Sequence, residues 1–128
     1  MVLFKNSEAT KITYSLNNRN CNAYFYKNNF YYNKKKISNI RHLKNKSDMM
    51  KYNVLAAISV AKLLNISNKN IAKALKNFIN IKYRLEEVYK DVFNDAKSTN
   101  IYSTISAIKE FSNRNIFLIC GYIKKIYG

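Results

Sequence analysis

The sequence predicts an α/β chain in two parts, antiparallel strands with a helical pair followed by a strand, helix, strand unit. Three observations predict it. Aromatic runs flank a pair of asparagines at positions 28 and 29. Two stretches between 50 and 78 repeat apolar residues at helical spacing, and beyond 81 short apolar runs surround one further helical pattern. The change of pattern near Ile81 marks a candidate domain boundary.

Residues 11–16 alternate, placing Ile12, Tyr14 and Leu16 on one face of a strand. Residues 22–26 and 30–33 read as strands joined by a hairpin, because Asn28 and Asn29 tolerate the positive φ that a tight turn requires. Residues 34–48 are polar and basic, with a short strand expected over 37–40. From about 50 to 64, Val54, Leu55, Ile58 and Ala61 recur at helical spacing and predict a buried helix, with Ala56 and Ala57 small enough for close approach of a neighbour. Ser67 is the expected cap of a second helix, whose Ile71, Ala74, Leu75 and Phe78 form a core-facing stripe. Short strands follow over 84–89 and 92–93. A helix over 100–111 directs Ile101, Ile105, Ile108 and Phe111 inward, and 116–120 is a continuous apolar strand, completing a βαβ layout.

The 128 residues carry 23 Lys and Arg against 7 Asp and Glu, a formal net charge of +16. Such a balance raises nucleic acid or an anionic membrane as a partner. Base composition accounts for it better. Lys, Asn, Ile, Tyr and Phe, the residues of A- and T-rich codons, supply 72 positions, and the lysines are scattered, with a run of three only at 34–36. Cys21 and Cys120 lie far apart, and the one histidine, His42, sits in a polar stretch where it reads as solvated, so no metal site is expected. Neither a leader pattern at Met1 nor an apolar run near the ~20 residues of a membrane span is visible, which predicts a soluble, cytoplasmic chain; a monomer is expected.

Chemistry concentrates at residues 94–100, Asn94, Asp95, Ala96, Lys97, Ser98, Thr99 and Asn100, between a short strand and a helix. The first free amides of a helix and the positive end of its dipole favour an anion there. Capping by Ser98 or Thr99 is the plain structural reading of the same residues. The segment resembles the Asp-Ser-Lys-Ala-Thr-Asn motif of the Mur ligases, in the branch that adds D-glutamate, with Ala96 in place of Ser and Ser98 in place of Ala. Upstream, Asn53 to Ala57 is similar to the family's Asn-x-x-Ala-Ala helix. Ala74, Leu75 and Phe78, then Tyr83, Arg84, Leu85 and Glu86, are similar to its Ala-Leu-x-x-Phe and His-Arg-x-Glu passage. Cys120 to Lys124 stands in the place of its Gly-Gly-x-Asp-Lys, so the resemblance covers about 11–124.

The resemblance implies the end of a Mur ligase central (ATPase) domain over 1–81 and the opening βαβ of a Rossmann-like C-terminal domain over 82–128. It also implies an ATP-dependent ligation, with Mg²⁺, that joins D-glutamate to UDP-N-acetylmuramoyl-L-alanine through an acyl phosphate in peptidoglycan synthesis. Asn53, Arg84 and Asp95 would lie on the nucleotide side. Lys97, Thr99 and Lys124 would face D-glutamate and the acyl phosphate, with Lys97 and Lys124 as the catalytic cations.

Several positions depart from the family's pattern. The only glycines are Gly121 and Gly128, so no Gly-x-x-x-x-Gly-Lys-Ser/Thr loop is present to cradle a triphosphate. Met49 and Met50 replace His-Asn, Cys120 replaces a glycine and Ile123 an acidic residue. Tyr83 replaces a histidine, where it is expected to pack, and the link from Arg84 to Asp95 is about four residues short, which could shift one against the other. The expectation is therefore a partial chain without catalysis of its own. A small basic nucleic-acid-binding protein, using lysines and tyrosines for phosphate contact and stacking, is the second class.

Overall fold

The computed structural model describes residues 9–79 and 81–121, in two compact units, Met1–Asn80 and Ile81–Gly128. The chain is mixed α/β.

In the first unit, β1 (Tyr14–Ser15), β2 (Ala23–Tyr26), β3 (Asn29–Tyr32) and β4 (Lys35–Asn39) form one sheet in that order. The β2-β3-β4 pairings are antiparallel as expected, but β1 is two residues long and runs parallel to β2. Side-chain bonding returns the chain in so few residues. The Ser15 hydroxyl accepts from the amides of Asn17 and Asn18, both at 3.1 Å, and Asn18 Oδ1 accepts from the Asn20 amide at 2.9 Å.

The first hairpin turns on Lys27 and Asn28, at φ 43° and 64°, one residue earlier than the sequence suggests. Two successive positive φ values let a two-residue turn match the twist of its strands. Asn29 instead opens β3, its side-chain Nδ2 donating to the Lys27 carbonyl at 2.7 Å and its Oδ1 accepting from Asn39 Nδ2 at 2.9 Å. A second turn of the same kind, Asn33 and Lys34 at 44° and 65°, launches β4 two residues ahead of the expected start.

Helix α1 (Asp48–Leu63) starts at Ser47, whose buried Oγ accepts from the Met50 amide at 3.1 Å. It ends in a Schellman motif: Asn65 takes φ 57°, its amide donates to the Lys62 carbonyl, and the Ile66 amide donates to that of Ala61. Ser67 then caps α2 (Asn68–Lys76), as the sequence predicts, accepting from the Asn70 amide at 3.2 Å.

Sheet and helices meet in a core of Ala23, Phe30, Ile37, Leu43, Met50, Val54, Leu55, Ile58 and Ile71. Each large side chain buried this way contributes roughly 1.5–3 kcal/mol. Helix α1 is buried along one face only, since Ala57, Val60 and Leu63 are exposed. The α2 stripe is likewise narrower than expected: Ile71 and Leu75 reach the core, while Ala74 is exposed and Phe78 lies beyond the helix end, also exposed. His42 is half-buried, its Nδ1 3.1 Å from the buried Ser38 hydroxyl, so it is a hydrogen-bonded residue of the fold and not a solvated one.

In the second unit, β5 (Glu86–Tyr89) and β6 (Val92–Asn94) form an antiparallel ribbon, followed by α3 (Ile101–Lys109). Phe93 meets Phe111 with ring centroids 4.6 Å apart, and Ala107 is buried. The expected βαβ layout is not formed by the described residues. Residues 116–120 carry no strand pairing, and Phe117 and Ile119 are 97% and 98% exposed. A strand needs a neighbour for its amides and carbonyls, and among the described residues 116–120 pair with none. For the same reason Ile101 and Ile105 are exposed, while Ile108 and Phe111 are half-buried.

Replacing Leu55, which has no exposed surface, by alanine should destabilise the first unit by about 2–5 kcal/mol. Urea unfolding followed by tyrosine fluorescence reads this; a loss below about 1 kcal/mol would place Leu55 outside the core.

Candidate functional site

The second unit brings two segments together, Tyr83 to Glu86 and the turn from Asn94 to Asn100. Asp95 joins them. Its Oδ1 accepts from the Leu85 amide at 3.1 Å, and its Oδ2 accepts from the Ser98 hydroxyl in a very short bond. The Lys97 amide donates to the Tyr83 carbonyl at 3.0 Å, a second tie between the same segments. Bonds within the turn complete it: the Ser98 amide donates to the Asp95 carbonyl at 2.9 Å, and the Ala96 amide to Asn94 Oδ1 at 3.0 Å.

These ties answer the short link between Arg84 and Asp95. The ribbon turns over within Tyr89 to Val92, with Asp91 at φ 59° and its amide held by Glu87 Oε1 at 3.2 Å. Strand β5 starts only at Glu86, because Tyr83 and Leu85 adopt φ 64° and 45°. Arg84 thus stands half-buried between two left-handed residues, one residue from the amide that Asp95 holds. Tyr83 is 48% exposed, so its part here is played by its backbone and not by packing of its ring.

Asn100 caps α3, in place of Ser98 or Thr99. Its side chain accepts from the Ser103 amide at 2.9 Å, and Ser103 Oγ closes a capping box on the Asn100 amide. The last residue of the turn therefore fixes where the helix begins. Lys97 and Thr99 are exposed on the turn so held. Glu86 and Ser98, which sequence reasoning gave no site role, both serve it, Glu86 by accepting from the Tyr83 amide at 2.8 Å. The signal for Glu86 was its place two residues after Arg84.

The remaining candidates lie elsewhere. Asn53 is exposed on α1 of the first unit, and Lys124 falls outside the described residues. Met50, at a position where a polar residue was expected from the resemblance, belongs to the core. Both cysteines are free. Among the described residues no group of three His, Cys, Asp or Glu could hold a metal ion. With both Asp95 oxygens already bonded within the fold, the residues described here do not by themselves fit Mg²⁺. No helix of the described residues is long and apolar enough to cross a membrane.

A hairpin ribbon whose strand-to-helix turn carries an exposed lysine and threonine, preceded in the chain by a sheet with a helical pair, agrees with the resemblance to the Mur ligases. The chain is 34% identical over 123 residues to the UDP-N-acetylmuramoylalanine--D-glutamate ligase of Streptococcus agalactiae, covering 93% of this chain and 27% of that protein. It is 35% identical over 122 residues to the ligase of the same name from Oceanobacillus iheyensis, with 91% and 27% covered. To that of Streptococcus uberis it is 47% identical over 73 residues, with 54% and 16% covered. No family model matches the chain. Over most of its own length the chain is therefore a partial sequence like the D-glutamate-adding Mur ligases, spanning about a quarter of the length of such relatives.

Asn100→Ala should cost the second unit about 1 kcal/mol by removing the cap of α3, seen as faster exchange of the Ser103 and Thr104 amides, which donate to the Asn100 side chain and carbonyl. Unchanged exchange in those residues would mean that α3 starts independently of Asn100.

Proposed function

We propose that this chain is part of a ligase that adds D-glutamate to UDP-N-acetylmuramoyl-L-alanine in peptidoglycan synthesis, with ATP consumed through an acyl phosphate and ADP formed. On this reading the chain supplies one side of the active site. The observation that carries it is the turn from Asn94 to Asn100, held by Asp95 beside Arg84 with Lys97 and Thr99 exposed. The similarity over 93% of the chain to ligases of that name supports it.

Residues 1–81 then represent the end of the central domain and 82–128 the start of the C-terminal domain. Arg84 presents a planar fork of donors suited to phosphate oxygens. Lys97 presents a compact charge suited to the D-glutamate carboxylate or the acyl phosphate, with the Thr99 hydroxyl beside it as a donor. Lys124 joins them on the strength of the sequence alone. Asn53 and Asp95 belong to the nucleotide side, and Asp95 does so while also holding the turn. No triphosphate-cradling loop exists in the 128 residues, so on this reading the loop that cradles the triphosphate and the Mg²⁺ ligands belong to residues outside this sequence, with Arg84 adding a phosphate contact from this side. The second class, a nucleic-acid-binding protein, gains no specific support: Arg19 and Lys27 stand over the ring of Tyr26, at 4.5 and 5.4 Å from its centroid, an internal use of both cations.

Two measurements test the proposal. The purified chain, given ATP, Mg²⁺, D-glutamate and UDP-N-acetylmuramoyl-L-alanine, should release no phosphate; release that requires both substrates would overturn the reading of a single active-site side. Exchanged for the matching stretch of the Streptococcus agalactiae ligase, the chain should give an active hybrid, and Lys97→Ala in it should lower kcat about a hundredfold or more. A folded but inactive hybrid, or one indifferent to Lys97→Ala, contradicts the proposal.

A further inference from the structure

We infer that Glu86 is a positioning residue for Arg84, acting together with Asp95 and the Lys97 amide to fix Arg84 beside the turn that carries Lys97. The inference rests on Arg84 being a nucleotide-side residue. Three bonds define the clasp. Glu86 Oε2 accepts from the Tyr83 amide at 2.8 Å, the Tyr83 carbonyl accepts from the Lys97 amide at 3.0 Å, and Asp95 Oδ1 accepts from the Leu85 amide at 3.1 Å. Both neighbours of Arg84 are thus held through their backbone groups.

The conformation explains why such holding is needed. Tyr83 and Leu85 occupy the left-handed region, at φ 64° and 45°, which bulky side chains disfavour and which persists only where the surroundings enforce it. Released from Glu86, the Tyr83 amide turns to water and the segment relaxes toward extended backbone. Successive side chains of an extended chain point to opposite faces, so relaxation redirects Arg84. The ligand class that Arg84 suits, a nucleoside diphosphate or triphosphate, then loses its guanidinium contact although Arg84 itself is intact. What Glu86 provides is an acceptor oxygen, and an amide oxygen replaces it.

The test is an ADP titration of the full 128-residue chain by NMR, following the Arg84 Nε–H signal and the Lys97 amide. Glu86→Ala should displace the Tyr83 and Lys97 amide signals and weaken ADP binding about three- to tenfold, the loss of one hydrogen bond. Glu86→Gln should stay within about twofold of the unsubstituted chain. Signals of Tyr89 and Val92, paired across the ribbon, report whether β5 and β6 remain formed. Where Glu86→Ala disrupts them, Tyr83→Gly provides the second arm: glycine adopts positive φ without enforcement, so adding Glu86→Ala to it should restore the ribbon and change ADP affinity less than about twofold. The clasp is overturned by a formed ribbon with unchanged ADP affinity in Glu86→Ala, by Glu86→Gln behaving as the alanine variant does, or by a Tyr83→Gly background that lessens nothing. A different failure isolates the functional reading. If ADP moves no Arg84 signal in the unsubstituted chain while Glu86→Ala still displaces Tyr83 and Lys97, the clasp stands and the nucleotide assignment of Arg84 falls.

Discussion

Asp95 divides its two carboxylate oxygens between the Leu85 amide and the Ser98 hydroxyl, and the arrangement of the second unit depends on that division. One oxygen reaches back ten residues to the approach of β5; the other stays within the turn that leads to α3. Hydrogen bonds to an ionised acceptor are the stronger kind, and a donor left without its partner loses more than the bond was worth. Removing the carboxylate therefore loosens two segments at once, and with them the spacing between Arg84 and Lys97.

The two units are held by different physics. The first has a contiguous apolar core under its sheet, so its polar bonds refine a structure that burial already favours. In the second, Ala107 is the buried apolar residue among those described, and Val88, Tyr89, Ile101 and Tyr102 are all more than half exposed. Local structure with few buried apolar contacts opens at low free-energy cost. Backbone ties at Tyr83, Leu85 and Lys97 take on the work that packing performs in the first unit, which places the proposed site where geometry is most sensitive to single polar side chains.

The first unit was largely readable because burial enforces its periodicity. Val54, Leu55 and Ile58 announced α1, and the aromatic runs announced β2 and β3, since each lines the same core. Capping by Ser67 was equally plain, a hydroxyl directly before a helical pattern. Left-handed residues were not readable where Lys27, Tyr83 and Leu85 adopt a conformation usually signalled by glycine or asparagine. An apolar run was also misleading at 116–120, because hydrophobicity states what a segment would bury and not whether a pairing partner is at hand. The turn at 94–100, between β6 and α3, could be located from residue types and resemblance. That Asp95 ties it to Leu85 could not, because a bond across ten residues depends on how the intervening ribbon folds back.

The second unit depends most directly on the bond between Asp95 and the Leu85 amide. Hydrogen exchange of that amide, compared between the unsubstituted chain and Asp95→Ala with the Tyr89–Val92 pairing as an internal reference, measures it. Protection of Leu85 in the unsubstituted chain, lost in Asp95→Ala together with protection of the Lys97 amide, is the predicted result. Equal exchange of Leu85 in the two proteins would contradict it.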